Sequence, residues 1–213
     1  MWLDEEAKAS ADAIWQKTFG ECPPATGKVV GLNIGASWKT KRWCDEYFAQ
    51  TADQLLDKGY GVVYFGGTMD EEIVRTAVSK MKQKDHPQLK VLTGALTLQE
   101  LAGLLKKCAV VITTDSGPMH IAVTQSVPLV TMFGASPVPG FYPYDAKDVL
   151  IKTPEKCHPC GIHECPKKTM ACMKNIPVDI VMKYTLELLA KYQDQAGEIE
   201  REYGQYQCKV IEL

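Results

Sequence analysis

The chain has 213 residues, of which 46% are hydrophobic, enough for one domain with a substantial core and too few for two large ones. Its 24 Lys and Arg residues nearly balance its 26 Asp and Glu residues, and the net charge of -2 argues against a nucleic-acid-binding protein. The acidic start, MWLDEE, does not predict a signal peptide, and no stretch approaches the ~20 apolar residues of a membrane span. We therefore expect a cytoplasmic protein, and peripheral association with the inner membrane stays open.

The first 27 residues are predicted to lead into the domain that follows them. Apolar residues recur at helical spacing over residues 4–19, Gly20 ends this helix, and a loop with two prolines runs on to Lys28. Residues 1–27 are therefore expected to form an interdomain-type helix and linker.

From Lys28 onward, short apolar runs alternate with segments of helical periodicity. The apolar runs predict strands at residues 29–34, 62–65, 89–92, 110–112, 128–133 and 149–151. The periodic segments predict helices at residues 43–58, 70–82, 98–107, 117–125 and 178–192. Thr97 and Glu100 predict a capping box at the start of one of these helices.

This alternation is typical of βαβ units, which form parallel sheets with helices on both faces. We predict an α/β fold with a doubly wound, Rossmann-like parallel sheet over residues 28–193. Residues 194–213 are expected to be a C-terminal tail, either helical or mobile.

Ligands of such sheets bind beyond the carboxyl ends of the strands, so the loops there are the candidate site. The first loop, GASWKTKRW at residues 35–43, carries hydroxyls at Ser37 and Thr40 and three cations at the predicted start of a helix. Cations at that position oppose the helix dipole unless an anion lies between them, which favours a phosphate site. A solvated basic turn is the alternative.

The second loop, GGTMDEE at residues 66–72, combines two glycines with acids in the first turn of a helix. Asp70 or Glu71 suits the hydroxyls of a ribose or a sugar, because a carboxylate is a bidentate acceptor. Ordinary capping of a helix N-terminus explains the same acids.

The third loop, TTDSGPMH at residues 113–120, is the most informative one. Ser116 and Gly117 present backbone N–H groups to an anion at a predicted helix start. His120 shares this turn with Asp115, which favours a functional role over that of a core histidine. The loop FGASP at residues 133–137 is a weaker candidate for a further wall of the crevice.

Together these loops resemble glycosyltransferase family 9, the heptosyltransferases of lipopolysaccharide core synthesis. The resemblance covers about residues 28–190 and rests on the order of the motifs, which are GAS and KRW, GG with acids after it, TDSGPMH, and VP leading into FG. It implies a GT-B architecture of two Rossmann-like domains, of which this chain is the C-terminal, donor-binding one. The missing partner is then an N-terminal acceptor domain.

The resemblance also implies roles for individual residues. Lys41 and His120 would stabilise the leaving group, and Leu96 would lie near the base. The donor-binding set is Ser37, Lys41, Asp70, Glu71, Leu96, Asp115, Ser116, Gly117 and His120.

The reaction that the resemblance implies is inverting transfer of a heptose from ADP-heptose to a lipopolysaccharide-type acceptor, with no cofactor needed for catalysis. The family's general base belongs to the N-terminal domain, and no segment of this chain corresponds to it. The isolated chain is therefore expected to be inactive.

Four of the eight cysteines are clustered, at Cys157, Cys160, Cys165 and Cys172. In a chain without a secretion signal, such a cluster favours metal binding over a disulfide framework. Four thiolates close the coordination sphere, so a bound Zn or Fe would be structural, with His158 and His163 as substitute ligands. Relatives in the resembling family carry a similar segment, and some bind iron there; reduced thiols and disulfides are the alternatives.

Other functions stay open at this point. The alternatives are a non-catalytic nucleotide-sugar-binding module, a structural metal-binding protein in which the sheet is a scaffold, and a different GT-B-like enzyme such as a sugar epimerase, because fold alone does not separate them. The surface that faces the missing domain is also expected to favour self-association.

Overall fold

Seven β-strands form the centre of the fold in the computed structural model, which describes residues 3–145, 147–192 and 208–213. The strands are β1 (Val29–Asn33), β2 (Gly61–Gly66), β3 (Leu89–Thr93), β4 (Val110–Thr114), β5 (Leu129–Phe133), β6 (Val149–Lys152) and β7 (Lys209–Glu212). The helices are α1 (Glu5–Trp15), α2 (Asp45–Asp57), α3 (Glu71–Ser79), α4 (Leu98–Lys107), α5 (Gly117–Thr124), α6 (Val138–Phe141), α7 (Ala171–Lys174) and α8 (Val178–Lys191).

The seven strands form one parallel sheet in the order β3-β2-β1-β4-β5-β6-β7. Val30 of β1 pairs with Val62 on one side and with Val110 on the other. The order of the strands therefore reverses between β1 and β4, which confirms the predicted doubly wound α/β fold. In such a sheet the ligand crevice opens at this reversal.

Helices cover both faces of the sheet. The core on one face contains Trp43, Phe48 and Tyr64 with side chains of α2, α3 and α8, while the core on the other contains Phe65 and Phe133 with side chains of α1, α4 and α5. Every residue of β1, β4 and β5 is buried. Strands covered on both faces have continuous apolar sequences, which is why the sequence pattern located them.

The predicted helices exist, but some of their ends differ from prediction. The α-helical part of the first helix ends at Trp15, and a π-helical turn, Gln16–Gly20, follows it. The second begins at Asp45, because buried Trp43 donates its indole N–H to the Ile176 carbonyl at 2.9 Å and the chain is extended at Cys44. The predicted capping box at the start of α4 is confirmed.

The prediction of a helical or mobile C-terminal tail is wrong for its last residues. Lys209–Glu212 is strand β7, in which Val210 pairs with Leu150 and Glu212 forms an ion pair with Lys152 at 2.7 Å. The four residues of β7 are mostly exposed and do not form the apolar run by which the other strands were predicted. They form a strand because they pair with β6. Residues 193–207, which hold the rest of that prediction, lie outside the described residues.

No helix in the described ranges combines the length and the apolar character that crossing a membrane requires.

Asp148, which immediately precedes β6, is a buried carboxyl group without a matching counter-charge. Its exposure is 0%. Burial, and next the nearby Asp145 carboxylate, raise the pKa of Asp148 well above its usual range, while backbone hydrogen bonds at Asp145 and Leu129 and the charge of Lys147 offset this only in part. The folded protein therefore keeps a proton on this carboxyl group up to a higher pH than the unfolded chain does.

Asp148→Asn should change how stability depends on pH. A raised carboxyl pKa in the folded state makes the free energy of unfolding fall as pH rises above the unfolded-state pKa near 4, at up to about 1.4 kcal/mol per pH unit. The amide cannot ionise, so the variant should gain stability relative to the wild type as the pH rises above 4. Urea unfolding at several pH values measures this gain. Asp85→Asn at an exposed position is the control, and a difference independent of pH would contradict the assignment.

Candidate functional site

Asn33 forms the floor of the crevice where the strand order reverses between β1 and β4. Its amide nitrogen donates to Ser116 Oγ at 2.9 Å and lies 3.2 Å from both Thr113 Oγ1 and the Gly35 carbonyl oxygen. These contacts hold the Ser116 hydroxyl, which does not cap α5. The first-turn N–H groups of α5 thus lack a cap from this side chain, as an anion site at a helix N-terminus requires.

Asp115, directly after β4, is a buried carboxylate at the centre of the site. Its side chain is 4% exposed, its Oδ2 lies 2.8 Å from Lys41 Nζ, and the same oxygen accepts a hydrogen bond from Ser136 Oγ. A carboxylate this buried is strongly unfavourable without a counter-charge, which Lys41 supplies. The loops after β1, β4 and β5 therefore converge on one carboxylate.

His120 lies in the first turn of α5, beside this carboxylate. Its side chain is 47% exposed, and its Nε2 is 3.8 Å from Asp115 Oδ1, longer than a hydrogen bond but within reach of an ion pair when the imidazole is protonated. The alternative of a core histidine is therefore wrong. The imidazole stands between the buried carboxylate and solvent, where a ligand would approach.

Lys41 is held at both its backbone and its ammonium group. It belongs to the 3-10 turn Lys39–Lys41, and its Nζ lies 4.3 Å from the ring centroid of Trp38 and 5.6 Å from that of Phe141. The prediction of cations at a helix start is wrong, because this turn precedes α2 as a separate element. Arg42 donates from Nε to the Ala36 carbonyl at 2.8 Å, so that cation supports the loop.

Asp70 ends the loop after β2, Glu71 begins α3, and both pack against neighbouring loops. Asp70 Oδ2 accepts from the Gly67 N–H at 2.9 Å, as the capping alternative expects. A Cβ on Gly35 would meet the Asp70 carboxylate, and one on Gly94 would meet that of Glu71, so each carboxylate packs against the backbone of a neighbouring loop. Gly94 also has a φ of +72°, which favours glycine. A contact from either acid to donor hydroxyls stays a prediction.

The rest of the predicted donor-binding set is spread along the same edge of the sheet. Ser37 and Gly117 are exposed, and Leu96 is half-buried on the loop after β3. The structure thus brings Lys41 and His120 to Asp115, while Leu96 stands at the far side of the crevice, three strands from β4.

Asn33 and Trp38 were not predicted as site residues. An amide inside an otherwise apolar strand was the available signal for Asn33, because buried polar side chains need partners. Ser136 belonged to the weakest candidate loop, and its hydrogen bond to Asp115 shows that this loop does form a wall of the crevice.

The four clustered cysteines border one small cavity of about 30 Å³, and all four are free thiols. Backbone N–H groups, that of Met170 foremost, lower the pKa of Cys165. Burial, followed by the charges of the other three thiols, raises the pKa of Cys172 to about 11. In the arrangement that the described residues adopt, no three Cys, His, Asp or Glu side chains form a group that could hold a metal ion.

Asp115→Asn should lower the free energy of unfolding by about 3 kcal/mol, because it leaves Lys41 without a counter-charge in a largely buried position. Urea unfolding at neutral pH and moderate salt measures the loss. The matched control, Glu212→Gln, removes the partner of Lys152 at the surface and should cost about 1 kcal/mol or less. Equal losses in the two variants would contradict the central role of the Asp115 carboxylate.

Comparison with known proteins gives matches over most of the chain. The sequence profile of glycosyltransferase family 9 (heptosyltransferase) matches residues 3–171. Lipooligosaccharide heptosyltransferase 2 of Campylobacter jejuni is 29% identical over 164 residues, which are 76% of this chain and 51% of that protein.

Two solved structures share the fold. The glycosyl transferase family 9 protein of Veillonella parvula has a TM-score of 0.74 and 31% sequence identity, covering 90% of this chain and 53% of that one. ADP-heptose lps heptosyltransferase II of E. coli has a TM-score of 0.72 and 23% identity, covering 91% and 54%. The chain thus spans about half the length of these relatives, and its doubly wound sheet matches one half of a GT-B glycosyltransferase. Since the family profile extends over well more than half of its residues, the chain belongs to glycosyltransferase family 9.

Proposed function

We propose that the crevice binds the diphosphate of a nucleotide-sugar donor, ADP-heptose, and that the chain is the donor-binding half of an inverting heptosyltransferase. The observation that carries the proposal is the convergence of Lys41 on Asp115 beside the start of α5. A cation held beside helical N–H groups that no side chain caps is suited to a diphosphate.

Asp115 orients the Lys41 ammonium and keeps its charge within the crevice. The ammonium has three N–H donors, of which Asp115 occupies one direction, so others can reach a phosphate oxygen. Ser116 and Gly117 would add backbone N–H groups, and His120 would lie beside the same phosphates. These groups would stabilise the negative charge that develops on the departing ADP, and preorganised donors of this kind lower the barrier most where charge develops.

The remainder of the donor would extend along the edge of the sheet. Leu96 would contact the base, while Ser37, Asp70 and Glu71 would face hydroxyl groups of the ribose or the heptose. This assignment follows the order of the loops after β1, β2 and β3, which are packed together through Gly35 and Gly94.

The acceptor site and the general base are proposed to lie outside this chain. The support is the length of the match, which covers about half of each relative named above. The E. coli relative is named as an ADP-heptose enzyme of lipopolysaccharide, and we propose the same class of donor and acceptor for the complete enzyme, in the cytoplasm at the inner membrane. The chain by itself would bind donor without transferring the sugar, and self-association would occur through the face left by the acceptor domain.

We further propose that the four clustered cysteines hold a structural Zn or Fe ion, which would crosslink the segment from Cys157 to Cys172. The support is that all four thiols border one cavity. The thiols would have to move closer together to ligate an ion, because no described group of side chains is arranged for one as it stands. The donor site needs no metal in this proposal.

Lys41→Met should raise the Kd for ADP by about tenfold or more, since a charge-assisted contact contributes about 1.5–3 kcal/mol. Isothermal titration calorimetry of the 213-residue chain with ADP and ADP-heptose measures this loss. Lys80→Met is the control, because Lys80, which follows α3, pairs with Asp45 and Glu46 in the first turn of α2 and is not among the proposed donor-binding residues. Unchanged affinity in Lys41→Met, or no binding by the wild type at millimolar ligand, would contradict the proposed donor site.

The metal proposal has a separate test in the metal content of the protein purified under reducing conditions. Elemental mass spectrometry should find about one Zn or Fe per chain, and Cys165→Ser should lose most of it, because three thiolates bind either ion more weakly than four. Cys22→Ser, at an exposed cysteine outside the cluster, should retain the metal. A metal-free wild type, or equal metal content in both variants, would overturn the proposal.

A further inference from the structure

The segment that carries the clustered cysteines is bonded directly to the loop that carries Lys41. Thr40, which is 2% exposed, donates its hydroxyl hydrogen to the Ile162 carbonyl at 2.6 Å, and the His163 carbonyl lies 3.4 Å from the same hydroxyl. This hydrogen bond joins two stretches of chain that are 122 residues apart. It holds the middle residue of the Lys39–Lys41 turn and therefore fixes the backbone from which the Lys41 side chain starts.

Trp38 makes the second contact between the same two stretches. The imidazole of His163 stacks on the Trp38 indole with ring centroids 3.9 Å apart and an angle of 28° between the planes. Lys41 Nζ lies 4.3 Å from the centroid of the same indole. The indole is therefore held by His163 where it contacts the ammonium group of Lys41.

A third contact joins the cysteine segment to the loop after β5. The Gly161 N–H donates to the Ala135 carbonyl at 2.8 Å, and the next residue, Ser136, donates to Asp115. The cysteine segment thus touches both walls of the crevice, the loop with Lys41 and the loop that supports Asp115. Residues 161–163 therefore contact the loops that carry both sides of the Lys41–Asp115 ion pair, at Trp38 and Thr40 on one side and at Ala135 on the other.

From these contacts we infer that Trp38, Thr40 and His163 are positioning residues for Lys41. A lysine side chain has many rotamers, and ordering it on a ligand costs conformational entropy. The Thr40 hydrogen bond fixes the start of the Lys41 side chain, and the indole supports its end. The side-chain entropy is therefore lost when the protein folds and not when the ligand binds. The inference rests on the proposed contact between Lys41 and the donor diphosphate.

The affinity ratio of ADP to adenosine tests the inference, because adenosine lacks the phosphates that Lys41 would contact. Thr40→Val, which keeps the shape and removes the hydroxyl, should lower the ratio about three- to tenfold, the equivalent of one hydrogen bond. NMR titrations of the 213-residue chain with both ligands measure the two affinities. Thr185→Val is the matched control, because Thr185 is buried in α8 and donates to the Val181 carbonyl at 2.8 Å.

His163 supplies a second pair of variants on an exposed side chain, where folding is little affected. His163→Ala should lower the ADP-to-adenosine ratio as Thr40→Val does, and His163→Phe, which can still stack on Trp38, should restore most of it. A general loss of structure would instead weaken both ligands equally and leave the ratio unchanged.

The outcomes separate the inference from the proposed function. If the wild type prefers ADP and Lys41→Met loses that preference, while Thr40→Val and His163→Ala keep it, only the positioning role is overturned. If the wild type shows no preference for ADP over adenosine, or binds neither, the proposed donor site fails and the inference fails with it.

Discussion

The buried ion pair between Asp115 and Lys41 is the interaction on which the arrangement of the crevice depends. A carboxylate with a 4% exposed side chain must be neutralised, and the lysine comes from a loop on the other side of the strand reversal. That requirement draws together the loops after β1 and β4, and Ser136 adds the loop after β5 by a hydrogen bond to the same carboxylate. A phosphate group entering this site would meet a cation whose position is already set, which suits the stabilisation of a leaving diphosphate.

The topology of the sheet explains why these loops can meet at all. Parallel strands end at one edge, and the reversal of strand order leaves a gap between the loops that follow β1 and β4. Asn33, the last residue of β1, borders this gap and donates to Ser116 Oγ at 2.9 Å, and that serine does not cap the start of α5. On the other side of the gap, Asp70 and Glu71 pack against Gly35 and Gly94, so the loops after β1, β2 and β3 lie against one another.

Most of the central fold could be predicted, because strands buried on both faces carry continuous apolar runs with turn residues between them. The edge strand β7 could not, since Lys209–Glu212 is mostly exposed and depends on pairing with β6. The start of α2 was also misplaced, because burial of Trp43 against Ile176, a contact across 133 residues, keeps the chain extended there. Local pattern contains no information about either contact.

The sequence by itself determined the fold class, the family and the loops of the candidate site, because these follow from local periodicity and from the order of short motifs. It also placed Lys41, Asp115 and His120 among the candidates. Only the tertiary structure decided that Lys41 pairs with Asp115, that Asn33 forms the floor of the crevice, and that His163 stacks on Trp38. These are contacts between residues far apart in the chain, and they are specified by how the strands and loops pack in space.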